Sequence, residues 1–314
     1  MNETRRRVLD ALADGPVSGP ALADDLGVSR TAVWKHVEAL REAGFGVESV
    51  DDGYRLTAVP ESGAAALEFG LDAPFSVEHH ASLDSTNRRA RELAEGGAND
   101  VAVVADAQTG GRGRLDREWT SPPGGVYLSV VCRPELPMAR APLFTLAAAV
   151  AATRAAREAG VDARIKWPND VLVPDDEGGT RKLAGVLTEA RGETDRVEWL
   201  VVGVGVNVEA TREELPAGAT SLRAEGVDPD RRAFVQRLLE TFHDLRRDLD
   251  AVLPAWRELA LTLGQRVRVE TPGGEVVGRA VDVESPGTLV VETDDGPVRV
   301  TAGDCEHLRP LDTS

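Results

Sequence analysis

The chain has 314 residues, with 53 acidic side chains against 36 basic ones and a formal charge of −17. No apolar run approaches the roughly 20 residues that a membrane span requires, and no segment reads as a secretory leader. Two widely separated cysteines, Cys132 and Cys305, carry no metal-ligand pattern, so the expected setting is a reducing cytoplasm, with no structural disulfide and no membrane partner.

Residues 1–57 open with an amphipathic helix, TRRRVLDALAD, ended by Gly15-Pro16. Ser18 can cap a short second helix that runs through Leu26 and breaks at Gly27. Ser29 can cap a third, with Ala32, Val33, His36, Val37 and Leu40 on one face. Gly44 stops it, and FGVESVDDGYRL folds into a hairpin around Asp51-Asp52-Gly53. Helix, tight turn, helix and β-wing make the winged helix-turn-helix pattern. Its candidate DNA contacts are Ser29, Arg30, Thr31, Trp34 and Lys35, with Glu38 on the same helix. The segment is itself slightly acidic, against the usual basic footprint, so a three-helix packing module that reads no DNA stays open.

Residues 58–66, AVPESGAAA, read as a small-residue linker. From 67 to 260 helices and strands alternate. STNRRARELAEGG, FTLAAAVAATRAAREAG and RRAFVQRLLETFHDLRRDL read as helices; VAVVA, GGVYLSVV, KLAGVLTEAR and VEWLVVGVGVNVEA read as strands. Residues 263–312 turn all-β, with QRVRVET, EVVGRAVDVE, GTLVVET and PVRVTAG separated by glycine-rich turns, as in a small SH3-like barrel. The expected class is α+β: an N-terminal winged helix-turn-helix, a central mixed α/β domain and a C-terminal β-barrel.

Between two of the central strands lies QTGGRGRLDREW (108–119), a cationic loop in an anionic chain. Gly110, Gly111 and Gly113 let the backbone approach a ligand. Arg112, Arg114 and Arg117 offer planar forks suited to phosphate and carboxylate oxygens. A solvated basic loop is the plain alternative. Four further stretches carry polar groups: Ser85, Thr86 and Asn87 at a helix start; Lys166, Asn169 and Asp170 in KWPND; Lys182 and Gly185 in RKLAGVLTE; and Asn207 at the end of GVGVN. Each has a structural explanation by itself, as a helix cap, a cation–π pair or a close-packing glycine. Among the basic residues only Lys35, Lys166 and Lys182 are lysine, and these three invite a reason.

Taken in series, GRGR, KWPND and GVGVN resemble the biotin protein ligases. With the N-terminal winged helix, the chain resembles the bifunctional type that is also the biotin operon repressor, over nearly its whole length. One position departs: the family loop usually reads GRGR, any residue, G-R, any residue, W, and here Asp116 stands at the last glycine. The resemblance implies that biotin's carboxylate attacks the α-phosphate of ATP, and that a lysine of a biotin carboxyl carrier protein of an acyl-CoA carboxylase then takes the biotinyl group. It implies catalytic roles for Arg112, Arg114, Lys182, Lys166 and Asp170. Biotin would meet Ser85, Thr86, Asn87, Gln108, Arg112, Gly113, Arg114, Lys182 and Gly185. ATP and the adenylate would meet Gly111, Arg112, Arg114, Arg117, Trp119, Lys166, Asn169 and Asn207, with Mg²⁺ on the phosphates and Asp170 as its candidate ligand. Operator DNA and a ligand-promoted homodimer are the further implied partners. Two alternatives remain: a ligand-sensing regulator without ligase activity, which intact Arg112, Arg114 and Lys182 disfavour, and a lipoate ligase, which GRGR and KWPND disfavour. The acid excess and the arginine skew also resemble halophilic archaeal surfaces, although GC-rich codon usage produces the same skew.

Overall fold

The computed structural model describes residues 3–175 and 178–308, apart from the side chain of Asp116. It begins with α1 (Glu3–Ala13), α2 (Gly19–Leu26), α3 (Arg30–Glu42), β1 (Gly46–Val50) and β2 (Gly53–Ala58), the two strands pairing antiparallel. The helix ends are set locally. Ser18 Oγ accepts from Ala21 N and Ser29 Oγ from Ala32 N, each at 3.2 Å, which satisfies amides that the helices leave unpaired. Gly27 closes α2 at φ 65°, where a side chain would be strained. Val8, Leu9, Leu12, Leu22, Val33, Val37 and Leu40 bury a core separate from that of the central domain. Each such side chain contributes about 1.5–3 kcal/mol relative to exposure.

The segment expected as a linker is partly helical. The run AAALE forms α4 (Ala64–Glu68), whose alanines favour helix and whose neighbours face two ways. Ala66 joins the winged-helix core, and Leu67 joins the core of the following domain. Phe69 meets Phe45 edge-on, with ring centroids 6.3 Å apart. This connection is therefore packed on both sides.

The central domain contains β3 (Ser76–His80), α5 (Thr86–Glu95), β4 (Val101–Ala105), β5 (Val126–Cys132), α6 (Pro142–Glu158), β6 (Arg164–Lys166), β7 (Asp170–Pro174), β8 (Thr180–Glu193), β9 (Arg196–Val206), α7 (Arg231–Arg247) and α8 (Val252–Leu259). Its sheet runs β3-β4-β5-β9-β8-β7-β6, with β3 and β4 parallel and every other neighbour antiparallel. β3, β6, β7 and α8 go beyond the elements read from the sequence; β6 has three residues, too few to show a period. The strand period explains how the faces are used. Along β9, Leu200, Val202, Val204 and Val206 face the large core with α6, whereas Trp199 and Val201 lie in a second cluster with Ala90 and Ala94 of α5. Next on the α5 face come Gly203 and Gly205. Side-chain volume thus falls away along one face of one strand, and the site opens there.

After α8 the chain forms β10 (Arg266–Thr271), β11 (Gly274–Glu284), β12 (Thr288–Thr293), β13 (Gly296–Val300) and β14 (Asp304–His307), an antiparallel sheet ordered β13-β12-β11-β10-β14. Its interior, including Val267, Val269, Leu289 and Val291, is continuous with the core of the central domain. Trp167 crosses the junction and donates from Nε1 to Gly287 O at 2.9 Å. Residues 309–312, expected in the barrel, lie outside the described residues. Cys132 and Cys305 are buried free thiols, and no helix among the described residues is long and apolar enough to cross a membrane.

Candidate active site

The glycines of β8 and β9 make the floor. Gly185 pairs with Gly205 and Leu187 with Gly203, so two glycines lie side by side across the ladder. The Trp119 indole rests on this cleared surface. A Cβ on Gly205 would sit 2.6 Å from Trp119 Nε1, and one on Gly185 would sit 3.1 Å from the ring. Alanine at Gly205 is therefore incompatible with this packing. At Gly203 a Cβ would collide with the Asn87 amide. Trp119 Nε1 is buried with no acceptor among the described residues.

The wall beside the floor is the start of α5. Ser85 caps the helix, and Gln108 Oε1 accepts from Thr86 N at 2.8 Å and from Thr86 Oγ1 at 3.1 Å. Asn87 Nδ2 donates to Glu189 Oε2 at 2.9 Å, while its Oδ1 lies 2.7 Å from Ser129 Oγ. These groups hold one another, so the polar rim is set before any ligand arrives.

The roof is the arginine loop, which folds as an irregular hairpin rather than a free connection. Gln108 N donates to Ser121 O at 3.2 Å, Trp119 N to Gly111 O at 3.0 Å and Gly113 N to Arg117 O at 2.8 Å. Leu115 stands at its tip with φ 56° and is 73% exposed. An apolar side chain held in water and in the left-handed region is costly. Arg114 donates to Asn169 Oδ1 at 3.1 Å and to Gly303 O at 3.0 Å. Both acceptors are neutral, and among the described residues no ion pair to Arg114 occurs. Arg117 pairs with Asp304 Oδ2 at 2.5 Å.

Lys182 Nζ lies 2.7 Å from Asp170 Oδ1 and 5.1 Å from the centre of the Trp119 ring. This part of the site holds about 160 Å³. Trp119 covers the floor at Gly205, and a second cavity of about 420 Å³ adjoins this one, sharing Ser85, Asn87, Arg112, Gly113 and Arg114. Burial raises the Tyr127 phenol above its ordinary range, despite the opposing charge of Arg231, and keeps it a donor to Pro122 O at 2.9 Å under the hairpin.

Of the residues singled out in the sequence, Ser85, Thr86, Asn87, Gln108, Arg112, Gly113, Arg114, Arg117, Trp119, Asn169, Asp170, Lys182 and Gly185 all line this one cavity. Three do not. Gly111 sits behind the wall, where a Cβ would meet Ser121 Oγ and Trp119 O, each at 2.6 Å. Asn207 lines a neighbouring cleft with Trp119 and Lys182, and its amide donates to Thr220 O at 2.9 Å. Lys166 is absent from the lining; its charge acts on Cys305 and His307 of β14, helping to lower the His307 pKa. In the β6–β7 ladder Lys166 pairs with Asp170, which does line the cavity. Asp170, the candidate metal ligand, is engaged by Lys182, and no group of three His, Cys, Asp or Glu side chains suited to a cation occurs among the described residues. These residues do not form a protein-built metal centre. Glu189, Ser129, Gly303 and Asp304 were not foreseen. Glu189 follows Gly185 and Leu187 at strand spacing and was discoverable; Gly303 and Asp304 arrive from another unit.

In the winged helix, Arg30, Thr31, Trp34 and Lys35 are exposed on α3, with Trp34 at 52%. They border a cleft with Ser49 and Tyr54 of the hairpin, except Lys35, which lies outside it. Ser29 is also exposed, but its hydroxyl serves the helix cap. The Glu38 carboxylate is taken by Arg41 NH1 at 2.6 Å.

Residues 80–207 match the Biotin/lipoate A/B protein ligase family, residues 262–308 the Biotin protein ligase C terminal domain, and residues 4–55 an HTH domain. The bifunctional ligase/repressor BirA of Bacillus subtilis is 38% identical, covering 92% of this chain and 93% of that protein. The protein of the same name from Escherichia coli is 32% identical, over 93% and 94%. A biotin protein ligase of Aquifex aeolicus, solved in complex with biotin and ATP, superposes with a TM-score of 0.60 at 28% identity, covering 74% of this chain and 99% of that one. A catalytic sheet floored with paired glycines, a cationic roof and an appended winged helix thus agree with the sequence likeness: the chain belongs to the biotin protein ligase family, on its bifunctional ligase/repressor branch.

Proposed function

We propose that this protein activates biotin with ATP as biotinyl-AMP and passes the biotinyl group to a lysine of a biotin carboxyl carrier protein. The observation that carries the residue assignments is Arg114, an arginine held by two neutral acceptors on the roof of a glycine-floored cavity. In the first step a carboxylate oxygen attacks the α-phosphorus and pyrophosphate leaves. Both reactants are anionic, so fixed cations are the main catalytic need. Arg112 and Arg114 supply them from the roof and Lys182 from the side, where Asp170 orients its ammonium. Biotin's ureido group and apolar rings suit the polar rim at Ser85 to Asn87 and the floor at Gly185. Trp119 and Arg117 move outward with the hairpin to admit the nucleotide, then cover an acyl phosphate that must be kept from water. Mg²⁺ would arrive on the nucleotide phosphates, supplying charge neutralisation there. In the second step the lysine amine attacks the acyl carbon and AMP leaves.

In this reading the units divide at 1–57, 67–260 and 263–312. The winged helix presents Arg30, Thr31, Trp34 and Lys35 to operator DNA as a dimer whose formation the adenylate promotes, since one such unit reads only a half-site. Sedimentation of the ligand-free protein and of the protein with biotin and ATP tests the dimer; equal association constants would remove it. The test of the chemistry is biotin-dependent exchange of pyrophosphate into ATP. Arg114→Ala is expected to slow it roughly a hundredfold, the loss of about 3 kcal/mol of transition-state stabilisation. Exchange that ignores biotin, or survives the substitution, would sink the assignment.

A further inference from the structure

The ladder between β4 and β5 ends at the pair Ala105–Tyr127, and the residues beyond it, 106–125, carry the arginine hairpin. Where the ladder stops, one side chain from a distant element takes over. Arg231, the first residue of α7, donates from NH2 to Asp106 Oδ1 at 2.8 Å and to Gly125 O at 2.9 Å. Those acceptors lie on opposite stems of the connection. The guanidinium is 18% exposed and the Asp106 carboxylate 25%, so solvent competes weakly. The same Asp106 oxygen lies 3.2 Å from His79 Nε2 on β3, and Glu209 Oε1 stands 3.9 Å from Arg231 Nε. Neither Arg231 nor Asp106 lines the cavity.

We propose that Arg231 is a positioning residue for adenylation, a clamp that fixes both stems of the arginine hairpin. The inference rests on the adenylation reading above. With the base held, Arg112, Arg114 and Trp119 close from a defined origin, and ligand binding has fewer backbone angles to order. Releasing the clamp frees the backbone at Asp106 and Gly125, and that freedom must be removed again each time the hairpin closes on nucleotide. The cost falls on binding, because the closed geometry, once reached, is the same. Both bonds leave a single nitrogen, so a compact ammonium with three donors can restore them, whereas a shorter neutral amide cannot.

The experiment uses the full chain as unmodified protein, Arg231→Gln and Arg231→Lys. Amide hydrogen exchange is followed in the absence of ligand, and pyrophosphate exchange is measured across biotin and ATP concentrations. Arg231→Gln is expected to raise the KM for ATP about tenfold, the equivalent of reordering roughly one residue's backbone, with the saturated rate within about twofold. Amides of 109–121 should exchange faster while those of β4 and β5 keep their protection. Arg231→Lys should recover most of both effects. Unchanged hairpin exchange, a loss of protection spread through the sheet, a lower saturated rate at constant KM, or a lysine variant no better than glutamine would each overturn the clamp. If the unmodified protein shows no biotin-dependent exchange, the adenylation reading fails, while the amide measurement still decides whether Arg231 holds the hairpin.

Discussion

The winged helix and the C-terminal sheet are both appended to the central domain, but they are joined to it in different ways. The first keeps a closed core of its own and meets the rest mainly through α4 and Phe69. The second shares one continuous core with the central domain and sends Gly303 and Asp304 to the arginine hairpin. Adjacency in sequence does not decide which unit belongs to the site. The segment following α8 supplies part of the roof, whereas the winged helix contributes nothing to the cavity lining.

The comparison predicts that substitutions on the shared side of the molecule reach the chemistry. Beyond Arg114, the next largest effect is expected at Lys182, whose ammonium sits between Asp170 and Trp119. Lys182→Arg places a broader, directional group in a space shaped for a point charge, and should slow biotin-dependent exchange at least about tenfold. Retention of most of the rate would show that charge alone suffices there.

The junction is expected to be acid-sensitive. Thr262 Oγ1 accepts from Trp167 N at 2.9 Å and lies 3.0 Å from His307 Nε2. Burial, helped by the Lys166 charge, lowers the His307 pKa to about 4. With the folded value below the unfolded one, the unfolded chain takes up the proton first. His307 therefore costs nothing above about pH 6.5, and stability falls as the pH drops from there towards 4. His307→Gln, whose amide still meets Thr262, should flatten thermal stability across that window. A pH profile parallel to that of the unmodified protein would assign the acid sensitivity elsewhere.

A smaller effect is expected at the contact between hairpin and C-terminal sheet. Asp304 offsets Arg117 in a pair that is 36% and 64% exposed, and such pairs contribute up to about 1 kcal/mol. Asp304→Ala frees Arg117 for phosphate, so the KM for ATP should fall about twofold to fivefold at low salt, with the gap closing as salt screens both charges. A KM that rises would mean that Asp304 supports the hairpin more than it competes with the nucleotide.

The same contrast explains what the sequence disclosed. The winged helix was readable because its signals are local: Ser18 and Ser29 cap, Gly27 stops, and Val33, Val37 and Leu40 repeat at helical spacing. The site was readable where motif and strand period coincide, as at Gly185, Lys182 and the arginine loop. It was not readable where placement depends on tertiary contacts. Lys166 lies four residues from Asp170 and pairs with it in the ladder, yet its charge acts at the junction with β14. Gly303 and Asp304 carry no signal that connects them to residues nearly two hundred positions earlier. The hairpin's order was invisible for the same reason: Gln108 and Ser121 hold it from within, and Arg231 from outside.

The most direct test of the account separates the chemistry from the winged helix. A chain beginning at Ala64 keeps α4 and every residue lining the cavity. Its biotin-dependent exchange of pyrophosphate into ATP should stay within about threefold of the full chain, a difference below 1 kcal/mol in barrier, while DNA binding is lost. A truncated chain that is folded by circular dichroism but inactive in exchange would contradict the account, because the winged helix would then shape the active site that this structure assigns to the central and C-terminal units.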